Sequence, residues 1–348
     1  MVIETNVTKL LGIKTPIVGA PMGPFFTNDL AVGICEAGGL GVVSHTGAIR
    51  GSLEVSQYKS VTGSLEHVVE HTDKPFGFNL RTSRNESEIK DLITTIPEFI
   101  MKNPKLKEQV VYAVTSAGSP KVLPESKAFQ KLKEVGNIKH FHVAPALWLA
   151  DKCIAANVDG LVCTGTEGGG HQSYEKVSTM VLLQQVRQKY PDVPLIGCGG
   201  FATGESLAAA IAMGAGGIAM GSRFIATNES EFHEAYKSII PPAKAGDTRL
   251  VTGVLGPIRL WKNKYCMSKE LVPSKEELVA KEQKLTREDI EHEMHAYDAV
   301  YEGDLENSAV LVGQSIGAID SIVAVKDLIA KMMNDAEGYL KSAYSKIK

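Results

Sequence analysis

Eight short apolar runs punctuate the first two-thirds of the chain: PIVGA (16–20), LGVVS (40–44), FGFNL (76–80), VVYAV (110–114), KHFHV (139–143), GLVCT (160–164), PLIGC (194–198) and GIAMG (217–221). Each is too short for a helix, and none alternates cleanly with polar residues, which is how strands buried on both faces read. Helical patterns lie between them. Residues 28–37 can cap on Asn28 and stop at Gly38-Gly39. Residues 86–101 set Ile89, Leu92, Ile93, Ile96 and Ile100 on one face, and 203–213 start on a threonine cap and end at Gly214. Eight β units joined by helices predict an α/β fold, a parallel TIM (β/α)8 barrel, with a doubly wound sheet as the alternative.

The alternation stops after residue 225. The segment 226–304 reads as helical and charged, with SKEELVAKEQKLTREDIEHEMHAY its longest such run. It is either a solvated appendage or a lid, since the loops after barrel strands build the active site. The chain returns with SAVLVGQSIGAIDSIVAVKDLI (308–329), in which Gly313-Gln314-Ser315 precedes an apolar stretch expected to be a helix packed on the barrel. The expected organisation is one barrel built from 1–225 and 305–348, with 226–304 as a helical insertion or lid subdomain.

Composition excludes several classes. Hydrophobic residues at 44% and charged residues at 22% support a core of ordinary size and exclude a disordered chain. A net charge of −3 with no basic stripe argues against nucleic acid as a partner. No stretch approaches the ~18 apolar residues of a membrane span. The five cysteines (Cys35, Cys153, Cys163, Cys198, Cys266) form no C-x-x-C pair, so neither a metal site nor a disulfide framework is expected. The start, MVIETNVTKLLGIKTP, lacks the apolar run of a signal peptide, which makes a cytoplasmic protein the expectation.

The 33 glycines are clustered. In PLIGCGGFATGESLAAAIAMGAGGIAMGSRF (194–224) one strand ends in Gly199-Gly200, a helix follows, and the next strand runs through Ala219 and Met220 into Gly221-Ser222. Glycine turns at neighbouring strand ends expose backbone N–H groups, the recipe for a phosphate site at a barrel's C-terminal face. Ser222 would add a hydroxyl and Arg223 a nearby charge. Neither a G-x-G-x-x-G dinucleotide fingerprint nor a P-loop is present, so the phosphate is expected to belong to a mononucleotide cofactor or a sugar phosphate. In CTGTEGGGHQ (163–172), three glycines would let the backbone hug a flat ligand and would set His171 at the same face, where a histidine can serve as acid, base or hydrogen-bond donor. Glu167 either orients that histidine or bonds backbone N–H groups in the loop. Ala20-Pro21-Met22 ends the first strand with a stiff apolar turn suited to a planar ring, and Asn79 is either a ligand-facing amide or a turn cap.

GAPM, AGGLGVVS, GFNL, the GGGH loop, GCGGFATGES, AMGSRF and GQSIG occur here in that order. This arrangement resembles the nitronate monooxygenase family, formerly called 2-nitropropane dioxygenases, whose pattern is shared by flavin-dependent enoyl-acyl-carrier-protein reductases and some NADH:quinone reductases. The resemblance implies a TIM barrel holding FMN without a covalent bond. On it, Gly199, Gly200, Gly221 and Ser222, led into by Ala219 and Met220, would hold the FMN phosphate. Ala20, Pro21 and Met22 would line the isoalloxazine, Asn79 would hydrogen-bond the cofactor, Thr164 and Gly165 would approach it, and Gln314 would close the site. His171 matches the family's catalytic histidine. The family loop usually reads E-A-G-G-H, and the extra glycine here implies more room or mobility beside His171.

Three functions are compatible with these residues. The leading one is FMN-dependent oxidation of alkyl nitronates with O2 to carbonyl compounds and nitrite. The alternative is an NAD(P)H-dependent reductase of enoyl thioesters or quinones, in which His171 donates the proton. The third is a barrel that binds FMN or another phosphate without turnover. A small-molecule substrate is expected in the first two, NAD(P)H only in the second, and oligomeric state is left open. A catalytic-cysteine mechanism is disfavoured because Cys163 and Cys198 read as small core residues.

Overall fold

Each of the eight apolar runs becomes a strand in the computed structural model, which describes residues 3–45, 56–83, 88–253, 256–272, 274, 276–277, 280, 284, 286, 293 and 295–347. The barrel strands are β1 (Ile17–Gly19), β2 (Gly41–Val43), β3 (Phe76–Arg81), β4 (Val110–Ser116), β5 (Lys139–Ala144), β6 (Gly160–Thr164), β8 (Leu195–Cys198) and β9 (Gly217–Met220). A short strand outside the barrel, β7 (Gly170–His171), lies between β6 and β8 in the chain. The eight pair in parallel in the order β1-β9-β8-β6-β5-β4-β3-β2. The ring closes through Leu40, whose N–H donates to the Ile17 carbonyl at 2.9 Å and whose carbonyl accepts from the Gly19 N–H at 2.9 Å. The doubly wound alternative is thereby set aside.

Alternate residues divide between two apolar layers, as a closed barrel requires. Val18, Val42, Tyr112, Val114, Phe141, Val162, Ile196 and Ala219 fill the inside. Ile17, Leu161, Cys163, Leu195, Ile218 and Met220 face the surrounding helices. The helices follow the expected pattern, with differences at their ends. Helix Gly204–Ala212 starts on Thr203, with Thr203 and Ser206 forming a reciprocal capping box. The helix expected over 86–101 runs Ile89–Lys102, and Glu86 lies outside the described residues. Helix Asn28–Glu36 does not cap on Asn28. Its N-cap is Thr27, whose hydroxyl instead donates to the Val42 carbonyl at 3.0 Å.

That missing cap is supplied from a distance. The Glu231 carboxylate accepts from the N–H groups of Asp29 (2.8 Å) and Leu30 (3.3 Å). Two residues earlier, both Glu229 oxygens accept from the Val325 N–H, at 3.0 and 2.9 Å. Val325 opens the final helix, Val325–Tyr344, whose N-cap, Ala324, has no side chain able to do this. A carboxylate at a helix N-terminus satisfies open donors and complements the helix dipole. Glu229→Ala is therefore expected to lower the unfolding free energy by about 1 kcal/mol, read by urea denaturation. An unchanged midpoint would show that water replaces the cap at no cost.

Two elements depart from the sequence reading. The apolar helix expected directly after Gly313-Gln314-Ser315 starts later than that. Gln314–Ala318 form a single 3-10 turn, the Asn228 N–H donates to the Val323 carbonyl at 3.0 Å, and the helix begins only at Val325. Extended pairing with the segment after β9 wins there over helical propensity. The insertion is also not purely helical. It contributes the antiparallel strands β10 (Thr248–Gly253) and β11 (Gly256–Trp261) besides the short helices Glu234–Ser238 and Lys264–Met267. Much of the long charged run over 274–297 lies outside the described residues.

The described part of the insertion is packed against the barrel. Phe25, on the loop after β1, meets Phe232 at 4.8 Å and Tyr301 at 5.2 Å between ring centroids. The Tyr301 hydroxyl accepts from the Phe26 N–H and donates to the Pro24 carbonyl, both at 3.2 Å. Among the described residues no helix is long and apolar enough to cross a membrane, and no group of His, Cys, Asp and Glu side chains is placed to hold a metal ion.

Candidate active site

The glycine turns after β8 and β9 lie side by side, because these strands are hydrogen-bonded neighbours. Gly199 and Gly200 take φ of +88° and +84°, left-handed values that L side chains avoid. A Cβ on Gly221 would lie 3.5 Å from Met22 Sδ and 3.8 Å from Ala20 Cβ, so the turn after β1 flanks the same spot. Ser222 is buried, and its hydroxyl accepts from the Gly313 N–H at 2.9 Å. The next N–H, of Gln314, donates to the Glu167 carbonyl at 2.8 Å. The returning segment thus ties the turn after β9 to the His171 loop.

The other expected residues divide. Ala219 points into the barrel, whereas the Met220 side chain lies in the layer between barrel and helices, away from this face. Arg223 also turns away, donating to the carbonyls of Ala226 and Ser321 at 2.6 Å each, because a buried guanidinium needs acceptors and these are its nearest. Asn79 is not a turn cap. It is buried on β3, where its amide donates to the Val114 carbonyl at 2.9 Å and to Ser116 Oγ at 3.2 Å. Beyond the Cys198 thiol on neighbouring β8, the buried Thr164 hydroxyl at the end of β6 has no hydrogen-bond partner among the described residues. Gly165 packs on Thr179, where a Cβ would fall 2.0 Å from the Thr179 nitrogen. Pro21 and Gln314 are partly exposed at the same face.

The three glycines of the histidine loop serve packing against protein. A Cβ on Gly169 would lie 2.7 Å from the Gly313 nitrogen, and one on Gly199 would lie 2.8 Å from that of Gly168. The loop is therefore wedged between the returning segment and the turn after β8. The extra glycine gives no looseness, since Gly170 and His171 form β7 and pair with β11. Glu167 does not orient the histidine. Its carboxylate accepts from the Thr179 N–H at 2.9 Å and from the Thr179 hydroxyl at 3.1 Å, which fixes the loop.

His171 is exposed, but it stands among dense protein walls. Their desolvation pushes its pKa down to about 4; the Arg81 charge acts in the same direction and Glu293 opposes it. The imidazole is consequently neutral near pH 7.

Sequence reasoning missed these two charges. Arg81 lies two residues beyond Asn79 on β3, and strand alternation would have placed it on the same side. Its N–H donates to His45 Nδ1 at 2.8 Å, which leaves His45 Nε2–H to donate to Gln57 Oε1 at 2.9 Å. Glu293 is buried inside a run that reads as solvated. It accepts from the Tyr265 hydroxyl and from Lys269 Nζ, both at 2.7 Å. No local pattern announces that burial.

An eight-stranded parallel barrel with paired glycine turns closing its last two strands and a histidine loop after its sixth has the layout of a TIM-barrel enzyme, a fold whose active site lies at the C-terminal face of the strands. The chain belongs to the nitronate monooxygenase family, whose model matches residues 4–335. Over 99% of this chain and 100% of the other, it superposes on FabK from Thermotoga maritima with a TM-score of 0.81 and 30% identity. It is 32% identical over 239 residues to a (3aS,4S,5R,7aS)-5-hydroxy-7a-methyl-1-oxo-octahydro-1H-indene-4-carboxyl-CoA dehydrogenase of Rhodococcus jostii, covering 68% of this chain and 59% of that relative's length. It is 27% identical over 295 residues to a probable nitronate monooxygenase of Staphylococcus saprophyticus, covering 76% of this chain and 80% of the relative.

Proposed function

We propose that this chain is an FMN-dependent oxidoreductase of the nitronate monooxygenase type, oxidising alkyl nitronates with O2 to carbonyl compounds and nitrite. The observation that carries the reading is His171, neutral and reachable, on a rigid loop beside the glycine turns. FMN, when bound, supplies the redox chemistry between substrate and oxygen. The residues fit such a group. The buried Thr164 hydroxyl has no partner among the described residues beyond the Cys198 thiol, and a Cβ on Gly200 would meet only Glu167 side-chain carbons, the nearest at 3.6 Å. In this reading Gly199, Gly200, Gly221 and Ser222 hold the phosphate, and Ala20, Pro21 and Met22 line the ring. The carbonyl oxygen of the Asn79 amide and the Thr164 hydroxyl take its polar edge, Gly165 keeps the backbone low beneath it, and Gln314 closes one side. His171 Nδ1 or Nε2 accepts a proton from the carbon of a neutral nitroalkane, or the ring N–H donates to a nitronate oxygen. The positive field of Arg81 favours the anion. The five cysteines are all free thiols, which agrees with a cytoplasmic location.

A second reading, reduction of an enoyl thioester or a quinone with NAD(P)H, draws on the FabK and carboxyl-CoA dehydrogenase relatives. It asks His171 to deliver a proton. An imidazole whose protonated form is disfavoured down to about pH 4 is a weak donor near neutrality. Two measurements separate the readings. Purified protein given a nitronate in air is expected to consume oxygen and release nitrite without pyridine nucleotide. The same protein mixed with NADH or NADPH under anaerobic conditions is expected to keep its flavin absorbance. Rapid bleaching without nitrite production would establish the reductase instead.

A further inference from the structure

The insertion reaches the reacting histidine through β11. Strand β11 pairs antiparallel with β7, setting Ile258 opposite His171 and Arg259 opposite Gly170. Just beyond, the Gln172 N–H donates to the Pro257 carbonyl at 2.8 Å. Arg259 is buried, and its side chain runs back along the loop. Nε donates to the Thr166 carbonyl at 2.8 Å, and Nη1 donates to Thr248 Oγ1 on β10 at 3.0 Å. Its backbone thus meets the end of the Thr166–Gly170 loop while its guanidinium grips the start. A planar fork can serve two acceptors set at an angle, which a lysine ammonium on a flexible stem does poorly. Burying that charge is costly unless it is paired, and the Glu167 carboxylate next to Thr166 provides the compensating negative charge.

We propose that Arg259 is a positioning residue that sets the place of the His171 imidazole, so that the insertion fixes the reacting group. Arg259 touches no reacting atom and acts only through the loop. The idea rests on His171 being the reacting group, as argued above, but the brace can be tested without turnover. The groups that set the His171 titration are Arg81 from β3 and Glu293 from the insertion, together with the desolvating walls. A loop released from Arg259 moves the ring out of that surrounding.

The test is a histidine-resolved NMR titration of Arg259→Met and Arg259→Lys beside the parent, with steady-state kinetics on nitronate. In the Met variant the His171 midpoint is expected to rise by about one pH unit or more, towards the ordinary histidine value. Displacing a catalytic group by even ~1 Å can cost up to 10²-fold, so kcat is expected to fall at least tenfold while KM stays within about threefold. The Lys variant is expected to recover part of both effects. An unchanged His171 midpoint in a folded Met variant would overturn the proposal. If the Met variant does not fold, the Lys variant decides, and an unchanged midpoint there counts equally against the brace. A midpoint that moves in a protein inactive on every nitronate would uphold the brace and remove the proposed reaction.

Discussion

His171→Ala is expected to reduce turnover of neutral nitroalkanes by about 10²–10⁴-fold, the usual worth of a positioned acid–base group, while the protein still purifies with its flavin. The two halves of this expectation have different sources. The proposed phosphate cradle is built from the turns after β8 and β9, and its backbone does not depend on the imidazole. The chemistry in the proposed reaction needs a group that is neutral at pH 7 and able to take a proton or donate a hydrogen bond. The walls around His171 and the Arg81 charge supply that state by holding its pKa down to about 4. The sign of the pH dependence follows. A base is active in its deprotonated form, so kcat/KM for a neutral nitroalkane falls as pH drops through the His171 pKa, and that limb is absent from the Ala variant. His171→Asn separates the roles further, because it keeps a donor but cannot act as base. It should retain more activity on a preformed nitronate than on the parent nitroalkane. Equal activity of parent and Ala variant, with flavin bound, would place the chemistry elsewhere on the barrel face.

Much of the barrel was legible because buried parallel strands leave a local mark. All eight apolar runs overlap observed strands, since a strand covered on both faces must be apolar throughout. The glycine turns were legible for a similar reason, as left-handed φ at Gly199 and Gly200 leaves glycine as the natural choice. Interactions between distant segments left no such mark. Glu231 caps a helix about 200 residues earlier in the chain, and nothing near Asn28 signals it. The hairpin of β10 and β11 was hidden because Val251, Ile258 and Leu260 are buried by the insertion's own small core, which a charged, helix-like surrounding sequence disguises. The glycines of the GGGH loop meet a demand that comes from other segments. Gly169 and Gly199 are small because Gly313 and Gly168 press against them, a packing demand that local sequence cannot distinguish from ligand approach.

Acid is expected to destabilise this fold steeply between pH 6.5 and 5, and the origin lies outside the active site. The Thr115 hydroxyl sits between His140 Nε2 and His142 Nδ1, 2.7 Å from each, in the layer between β4, β5 and the outer helices. One hydroxyl proton can serve only one ring, so one imidazole accepts from Thr115 and the other donates to it. Both rings are fully buried, so an added proton is poorly solvated, and the Gly118 backbone beside His142 offsets this only in part. Burial pushes His140 down to about 3, helped by His142 and by Lys133, which is paired with Asp159 across the strand edge. Burial likewise pushes His142 down to about 4, and His45 is lowered to about 4 by burial and then by Arg81. In the unfolded chain all three titrate near 6.5. Above that value they are neutral in both states and pH has no leverage. Below it the unfolded chain gains protons that the folded protein refuses, and stability falls with falling pH until the folded values are reached. Each histidine then costs up to about 1.4 kcal/mol per pH unit, half that at its unfolded value, so from pH 6.5 to 5 the three together remove roughly 5 kcal/mol, against the roughly 5–15 kcal/mol that holds a typical domain together. His171 is left out of this sum because solvent reaches it. Urea unfolding at pH 7, 6 and 5 measures the slope. The double variant His140→Phe with His142→Asn loses packing and a hydrogen bond, but by the same amount at every pH, so its slope isolates the titration. About two-thirds of the acid sensitivity should disappear, leaving the share of His45. A double variant as acid-sensitive as the parent would place the origin of the effect outside the His140–Thr115–His142 cluster.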